Sequence, residues 1–342
     1  MSKMRSYFHL GLALVCVATA AHAYTGDVLF EPPVAVGNVP TNGPSVDARL
    51  RICSYNIQNF NDAKDDEKGR KKKHLKQQAK DAASVLKKID ADVVIIQEIE
   101  NGDVLKLLNR NMGSAHTFNY ITRFDYPEHR DAKLNIAVLS RLPLKDLMEL
   151  DFSPLQGVDR PSRGVLRFSI ELNKDERLLV YGVHLKSNRG EREENIARRA
   201  SAVSAIRADI ERMRRSEVDH EWHFMVAGDM NMDTDSDEFK DDDSLRSISG
   251  MVDLWSGRPI EERTTHPKRT VRWKGKEYPA VAFDRFLVSP SLTQAPWTVG
   301  SAEALKEGVY LKNASVKPGT RAGHVSDHYP IYVDLFRTKS DQ

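Results

Sequence analysis

Six stretches of this chain share a pattern that strongly limits its fold: an apolar run interrupted at or near its end by an oxygen-bearing side chain or an imidazole. Asp92-Val93-Val94-Ile95-Ile96 runs into Gln97-Glu98, and Leu178-Leu179-Val180-Tyr181-Gly182-Val183 ends at His184. Phe224-Met225-Val226-Ala227 leads into Gly228-Asp229-Met230-Asn231, and Asp284 lies within Ala282-Phe283-Asp284-Arg285-Phe286-Leu287-Val288. Asn56 sits late in a run that begins near Arg51, and Ser326-Asp327-His328-Tyr329-Pro330 precedes Ile331-Tyr332-Val333-Asp334-Leu335. Short apolar runs without alternation mark strands buried on both faces, which require covering layers on either side. A carboxylate at the end of such a strand is costly unless a cation or hydrogen-bond donors meet it. Taken singly, Asn56 or His184 is explained by capping or by a satisfied core polar group. Six such interruptions together point to one shared rim, because rigid strand ends are where α/β proteins gather their sites.

The sequence between these runs predicts a single α/β domain with mixed sheets. Residues 68–88 have helical spacing through Leu75, Ala79, Ala82, Ala83 and Leu86, residues 104–108 suggest a short helix, and a long charged helix is expected over 190–214. Further strands are expected at 134–140, 164–172 and 177–185. The first 23 residues read as an export signal: Lys3 and Arg5 precede an apolar stretch too short to span a bilayer, and Ala21-His22-Ala23 is a cleavage pattern. The expectation is therefore an exported protein, periplasmic or extracellular, with no stable membrane insertion. Residues 24–49 read as an extended lead-in, 50–337 as the catalytic domain and 338–342 as a tail.

The full chain has 51 basic and 49 acidic residues, so loss of Lys3 and Arg5 leaves a formally neutral mature protein. Attraction to a polyanion must then be local. Cys53 would be the one remaining cysteine, which excludes an intramolecular disulfide and a multi-thiolate zinc site. Asn, Asp and Glu oxygens instead favour a hard cation: Mg²⁺ first, with Mn²⁺ or Ca²⁺ as alternatives. The chemistry implied is phosphate-ester cleavage, with a cation, an acid–base pair and amide donors around one phosphate. Two charged segments have simpler explanations. The seven acids of 233–243 lack the calcium-loop Gly and terminal Glu and read as a solvated loop with incidental cation binding. Arg70-Lys71-Lys72-Lys73 reads as a solvated helix face.

Taken in order, the motifs resemble the endonuclease/exonuclease/phosphatase superfamily, the deoxyribonuclease-I-like fold, over nearly all of residues 50–337. Beside the Asn56 strand and Gln97-Glu98 stand Ile136-Ala137-Val138-Leu139-Ser140-Arg141, Tyr181-Gly182-Val183-His184-Leu185, Gly228-Asp229-Met230-Asn231, Phe283-Asp284-Arg285-Phe286-Leu287-Val288-Ser289 and Ser326-Asp327-His328-Tyr329-Pro330. The resemblance implies a four-layer α/β sandwich of two packed mixed sheets flanked by helices. It also implies Glu98 as principal metal ligand with Asn56 and Asp327 supporting, Asp229 acting on the attacking water, and Asn231 holding the phosphate. His328 would be oriented by Asp284, and His184 would lie near the leaving oxygen. Arg163, with Arg160 as alternative, and Lys186 and Arg189 would grip the substrate. The sequence departs from the family at Ala132-Lys133-Leu134-Asn135, where a Tyr or Glu is common, so no partner for His184 is evident. The run His184-Leu185-Lys186-Ser187 resembles secreted bacterial nucleases, and Trp273, in the hairpin-like segment 269–278, reads first as an ordinary hairpin aromatic and second as a residue for base stacking. The expected activity is that of a monomeric nuclease acting on DNA, with RNA as a further substrate. The alternatives are a sphingomyelinase, an inositol-phosphate phosphatase, or an inactive binding member.

Overall fold

The computed structural model describes residues 28–64, 71–123, 134–157, 160–216, 220–271 and 275–338. The stretch read as an export signal, Arg70, Ala132, Lys133, Trp273 and the last residues of the tail lie outside them. In chain order the elements begin with β1 (Leu29–Glu31), β2 (Val34–Ala35), β3 (Arg49–Phe60), α1 (Lys72–Ile89), β4 (Val93–Ile99), α2 (Gly102–Met112), β5 (Phe118–Ile121) and β6 (Asn135–Ser140). They continue with β7 (Lys145–Asp151), β8 (Val165–Glu171), β9 (Glu176–His184), α3 (Arg192–Arg215), β10 (Glu221–Asp229) and β11 (Val252–Asp253). A hairpin of β12 (Arg269–Val271) and β13 (Lys276–Tyr278) precedes β14 (Asp284–Val288), β15 (Thr293–Gln294), β16 (Trp297–Val299), β17 (Glu303–Ala304) and β18 (Ile331–Arg337).

Two large mixed sheets pack face to face with helices outside them, a four-layer sandwich. One sheet has seven strands in the order β1-β7-β8-β9-β10-β14-β11. The other has nine, in the order β15-β16-β18-β3-β4-β6-β5-β2 with β17 on β18. The unbroken apolar runs follow from this layering. Ile52, Val93, Ile95, Ile136 and Val138 face the first sheet, while Cys53, Val94, Ile96, Ala137 and Leu139 face α1 and α2. Strand residues alternate sides, so a middle strand with two covering layers has no solvent-facing position to fill with polar groups. Helix α1 buries Leu75, Ala79, Ala82, Ala83 and Leu86, the positions its spacing marked. Helix α3 buries Ala202, Val203, Ile206, Ile210 and Met213 together with Asp209, which receives Arg167 at 2.9 Å and the Tyr181 hydroxyl at 2.9 Å.

Two expectations change. Part of the lead-in is built into the sandwich, with β1 closing the edge of one sheet on β7 and β2 closing the other on β5. The acidic stretch after Asn231 is not a solvated cation loop at its ends. Asp233 is fully buried, paired with Arg263 and with Arg285 at 2.5 Å, and accepts from the Ala282 N–H at 3.1 Å. Asp242 is paired with the buried Arg199. Carboxylates that leave water need such donors, and these lie far away in sequence.

Glu149 on β7 is buried, accepts one N–H from Arg123 at 2.7 Å and has Glu31 and Asp151 as like-charged neighbours. Burial pushes its carboxyl up to about 7, and the Arg123 N–H offsets only part of that. The folded carboxyl therefore keeps its proton to about pH 7, whereas the unfolded one loses it near about 4.3. Stability is then fully present below that lower value and is lost as the pH rises towards 7. Glu149→Gln is expected to flatten the pH dependence of the urea midpoint between about pH 5 and 7 and to add about 1–2 kcal/mol at neutral pH after solvent screening. An unchanged slope in the variant would refute this assignment.

Candidate active site

The six polar interruptions meet at one rim because of strand direction. Strands β3 and β4 are parallel and end together, as do β9 and β10, with Asp229 beside His184 in register. Strand β14 is antiparallel to β10 and begins at that level, pairing Asp284 with Asp229. The chain enters β18 there too, since Ile331 pairs with Ser54 and the Ser326 hydroxyl donates to the Asn56 carbonyl at 2.6 Å.

Irregular backbone aims the side chains at the rim. Pairing of β4 with β6 slips between Gln97 and Ile99, and pairing of β3 with β4 slips between Asn56 and Phe60. These bulges project the residues between them out of the ladder. Glu98, Asn59 and Gln58 all take positive φ, at 61°, 50° and 42°, and Asn231 does so at 52°. Such conformations in residues other than glycine cost about 1–3 kcal/mol each and cluster at functional sites. Gly228 has φ 145°, and a Cβ there would lie 2.0 Å from the Val183 carbonyl oxygen, so only glycine lets β10 lie against β9 at this point.

Asn56 is the hub. Its fully buried amide donates to Glu98 at 3.1 Å and to Asp229 at 3.0 Å, while its own oxygen accepts from the Gln58 N–H at 3.0 Å. The backbone donor on its oxygen fixes the amide's orientation, so Asn56 appears here as a donor between two carboxylates. Glu98 is half-buried, and its other oxygen accepts from the Asn59 N–H at 2.8 Å. Asp229 also accepts from the Asn231 N–H at 2.8 Å. Burial pushes the Asp229 carboxyl up to about 6, with His328 pulling against it and Asp284 adding to it.

The His184 imidazole lacks an obvious partner in sequence, yet two carboxylates flank it. Its Nε2 lies 3.5 Å from Asp229 and 3.8 Å from Glu98. His328 Nδ1 lies 2.7 Å from Asp284 Oδ2, and its Nε2 points towards Asp229 at 3.9 Å. Burial works to lower the pKa of His328, but Asp284 and Asp229 outweigh it and hold it up at about 10. Asp284, Asp229 and His328 each place a ligand-type atom within 4.8 Å of the others.

The remaining expected residues are placed differently. Asp327 lies with Arg269 at 3.1 Å and His266 at 3.9 Å. Burial alone would raise its carboxyl, but His328 and Arg269 hold it down to about 2. Asn231 donates its amide to the Leu185 carbonyl at 3.0 Å, which also receives Arg163 at 3.1 Å. Arg163 nonetheless sits close enough to Glu98 and Asp229 for both to raise its pKa, against a larger lowering by burial. Lys186 folds back onto the Ser187 and Arg189 carbonyls at 2.9 and 2.6 Å, and burial beside Arg163 and Arg198 pushes it down to about 8. Arg189 is exposed.

Sequence reading passed over Thr265 and His266, and took Arg269 only as the start of a mainly cationic hairpin-like segment. Thr265 accepts from the Asp284 N–H at 3.0 Å and the Tyr329 N–H at 2.6 Å, tying both halves of the dyad together. The His266 ring stands edge-on to His328 at 5.2 Å. The one signal of Thr265 and His266 was a polar Thr264-Thr265-His266-Pro267 stretch outside any apolar run.

This rim combines an oxygen donor at its mouth, two histidines and two further carboxylates. The half-buried Glu98 carboxylate is an oxygen donor of the kind that suits a hard metal. Residues 53–328 match the model of the endonuclease/exonuclease/phosphatase family, and the chain belongs to that family, whose members are typically hydrolases of phosphodiester bonds that use a divalent metal. Among solved structures it is similar to D. rerio TDP2 complexed with single strand DNA product (18% identity, TM-score 0.55, 84% of this chain and 99% of that one). It is also similar to beta toxin from Staphylococcus aureus (17%, 0.57, 85% and 100%) and to a family protein from Bacteroides thetaiotaomicron (14%, 0.55, 85% and 98%). At these identities the likeness is one of fold. No curated protein sequence gives a significant match.

Gly228→Ala is expected to cost about 3 kcal/mol or more, from the clash with Val183 and the unfavourable φ together. Urea unfolding would measure it, and a loss below about 1 kcal/mol would show that β9 and β10 can separate without penalty.

Proposed function

We propose that this chain is an exported, metal-dependent phosphodiesterase that cleaves nucleic acid, DNA foremost. The observation that carries the choice of substrate is a basic surface leading into the reaction centre. Residues 308–326 contain Lys312, Lys317 and Arg321 and no acid. All three are exposed, as are Lys71, Lys72 and Lys73 at the start of α1. The two segments are in backbone contact: Gly319 takes φ 69°, and a Cβ there would lie 2.0 Å from the His74 carbonyl oxygen. Ala314 N–H donates to Thr270 on the hairpin at 3.2 Å, and Gly323 N–H donates to Asp81 on α1 at 2.9 Å. The segment then runs directly into Asp327 and His328. In a formally neutral mature chain, this places positive charge where a long phosphate backbone would lie. The likeness to a TDP2 held with a single strand DNA product is consistent with that reading.

The roles follow from position. A divalent cation at Glu98, Mg²⁺ by the donor type, supplies charge neutralisation on the phosphate when bound. Asp229 is held by Asn56 and the Asn231 N–H, and it orients and deprotonates the attacking water. His328, fixed by Asp284, presents Nε2 to the phosphate from one side, and His184 does so from the other.

Purified mature protein would be offered plasmid DNA, RNA and sphingomyelin vesicles with Mg²⁺ and then with chelator. Cleavage of the lipid alone would sink the nuclease reading, and activity undiminished by chelator would remove the cation. Asp229→Asn is expected to lower kcat by about 10³-fold or more. Replacing Lys312, Lys317 and Arg321 together by Ser should raise KM for DNA, leave kcat nearly unchanged and reduce the salt slope of binding by about 2–3. Export predicts that the secreted form begins at Tyr24, which mass spectrometry of the culture or periplasmic fraction would read.

A further inference from the structure

At the opposite end of the same two strands lies another cluster of ligand-type side chains. Glu176 opens β9 and Glu221 opens β10, and the parallel register sets them side by side. His223, two residues along β10, lies on the same face as Glu221. Glu176, Glu221 and His223 each offer one ligand atom within 4.8 Å of the others. From Glu221 to Asp229 the strand runs eight residues, roughly 26 Å, so this cluster is remote from the reaction centre.

Its surroundings are built. His223 is buried, with Nδ1 2.8 Å from the Ser291 hydroxyl and Nε2 3.3 Å from Glu176. Ser291 is backed by Ser289 at 2.9 Å, which in turn accepts from the Phe224 N–H at 3.0 Å. Asn173 donates to the second oxygen of Glu176. With Nδ1 directed at Ser291, Nε2 is the ring nitrogen that faces Glu176, and in the Nδ1–H tautomer it offers its lone pair to a cation, as metal-bound histidines do. Two carboxylates in direct register repel unless a cation lies between them. Glu221 is exposed and leaves the site open to solvent.

We propose that Glu176, Glu221 and His223 form a second divalent-cation site of the Zn²⁺ type, separate from the reaction centre. One imidazole and two carboxylates suit Zn²⁺, with water completing the tetrahedron. Ligand atoms on such an ion stand about 3.4 Å apart, which small side-chain rotations reach from the spacing present. The bound ion would join the starts of β9 and β10 and, through His223, the Ser291 turn.

The test uses the full mature chain, stripped with chelator and titrated with Zn²⁺ alone by calorimetry and by thermal unfolding. Glu98→Gln removes the catalytic carboxylate, and Glu221→Gln removes an exposed ligand at low risk to folding. Zn²⁺ is expected to raise the melting temperature of the wild type and of Glu98→Gln by several degrees. Glu221→Gln should lose that rise and bind Zn²⁺ at this site at least tenfold more weakly, with its Mg²⁺-supported activity unchanged. The proposal is overturned if Glu221→Gln keeps the full rise and affinity, or if Zn²⁺ binding disappears in Glu98→Gln instead. Neither result bears on the phosphodiesterase reading, which the substrate panel decides.

Discussion

The pairing of His328 with Asp284 at 2.7 Å crosses from the entrance of β18 in one sheet to the first residue of β14 in the other. Both side chains are buried, and a lone carboxylate there would cost several kcal/mol. The same logic holds for Asn56, which reaches from β3 across the sandwich to Asp229 on β10. These cross-sheet contacts have little tolerance in length, so the two sheets must meet at a fixed separation and offset. The apolar layer between them supplies that rigidity. Strands β3, β4 and β6 face β9 and β10 through tightly packed Ile, Val and Leu side chains, each worth about 1.5–3 kcal/mol on burial. The core thus meets the cost of holding charge at its rim.

That surplus also covers the strained backbone. Glu98 and Asn231 both sit in the left-handed region, and both belong to the site. Regular strands would send alternate side chains into the core or the helical layer, so a ladder without bulges has no direction for a carboxylate at the rim. The slips between Gln97 and Ile99 and between Asn56 and Phe60 provide one. Sequence cannot show this directly, because a bulge is a mismatch between two strands that lie far apart in the chain.

What was legible divides along that line. Strands buried on both faces announce themselves locally, so β4, β9 and β10 and the residues at their ends could be read from composition alone. The buried positions of α1 could be read in the same way. Residues whose meaning depends on a distant partner could not. Asp233 looks like one more acid in an acidic loop until Arg263 and Arg285 are seen to enclose it. Asp327 reads as a metal ligand by resemblance, and nothing in its own stretch shows that Arg269, from the β12–β13 hairpin, lies 3.1 Å from it. Strands β1 and β2 are too short for any pattern and form only because two sheet edges lie open to them.

Reaction and substrate are consequently written in different parts of the chain. The rim is assembled from strand ends, where position is set by the core and little can vary without loss of the site. The basic surface is assembled from α1, the hairpin and the segment before Asp327, which touch one another through backbone contacts at Gly319, Gly323 and Ala314. Backbone contacts place the loop without specifying its side chains, so Lys312, Lys317 and Arg321 can change while the fold stays the same. On the proposed nuclease reading, a phosphate backbone held by these cations would lie along a loop that leads directly into Asp327 and His328. On that reading substrate preference would lie in the loop's charge, apart from the core that carries the chemistry.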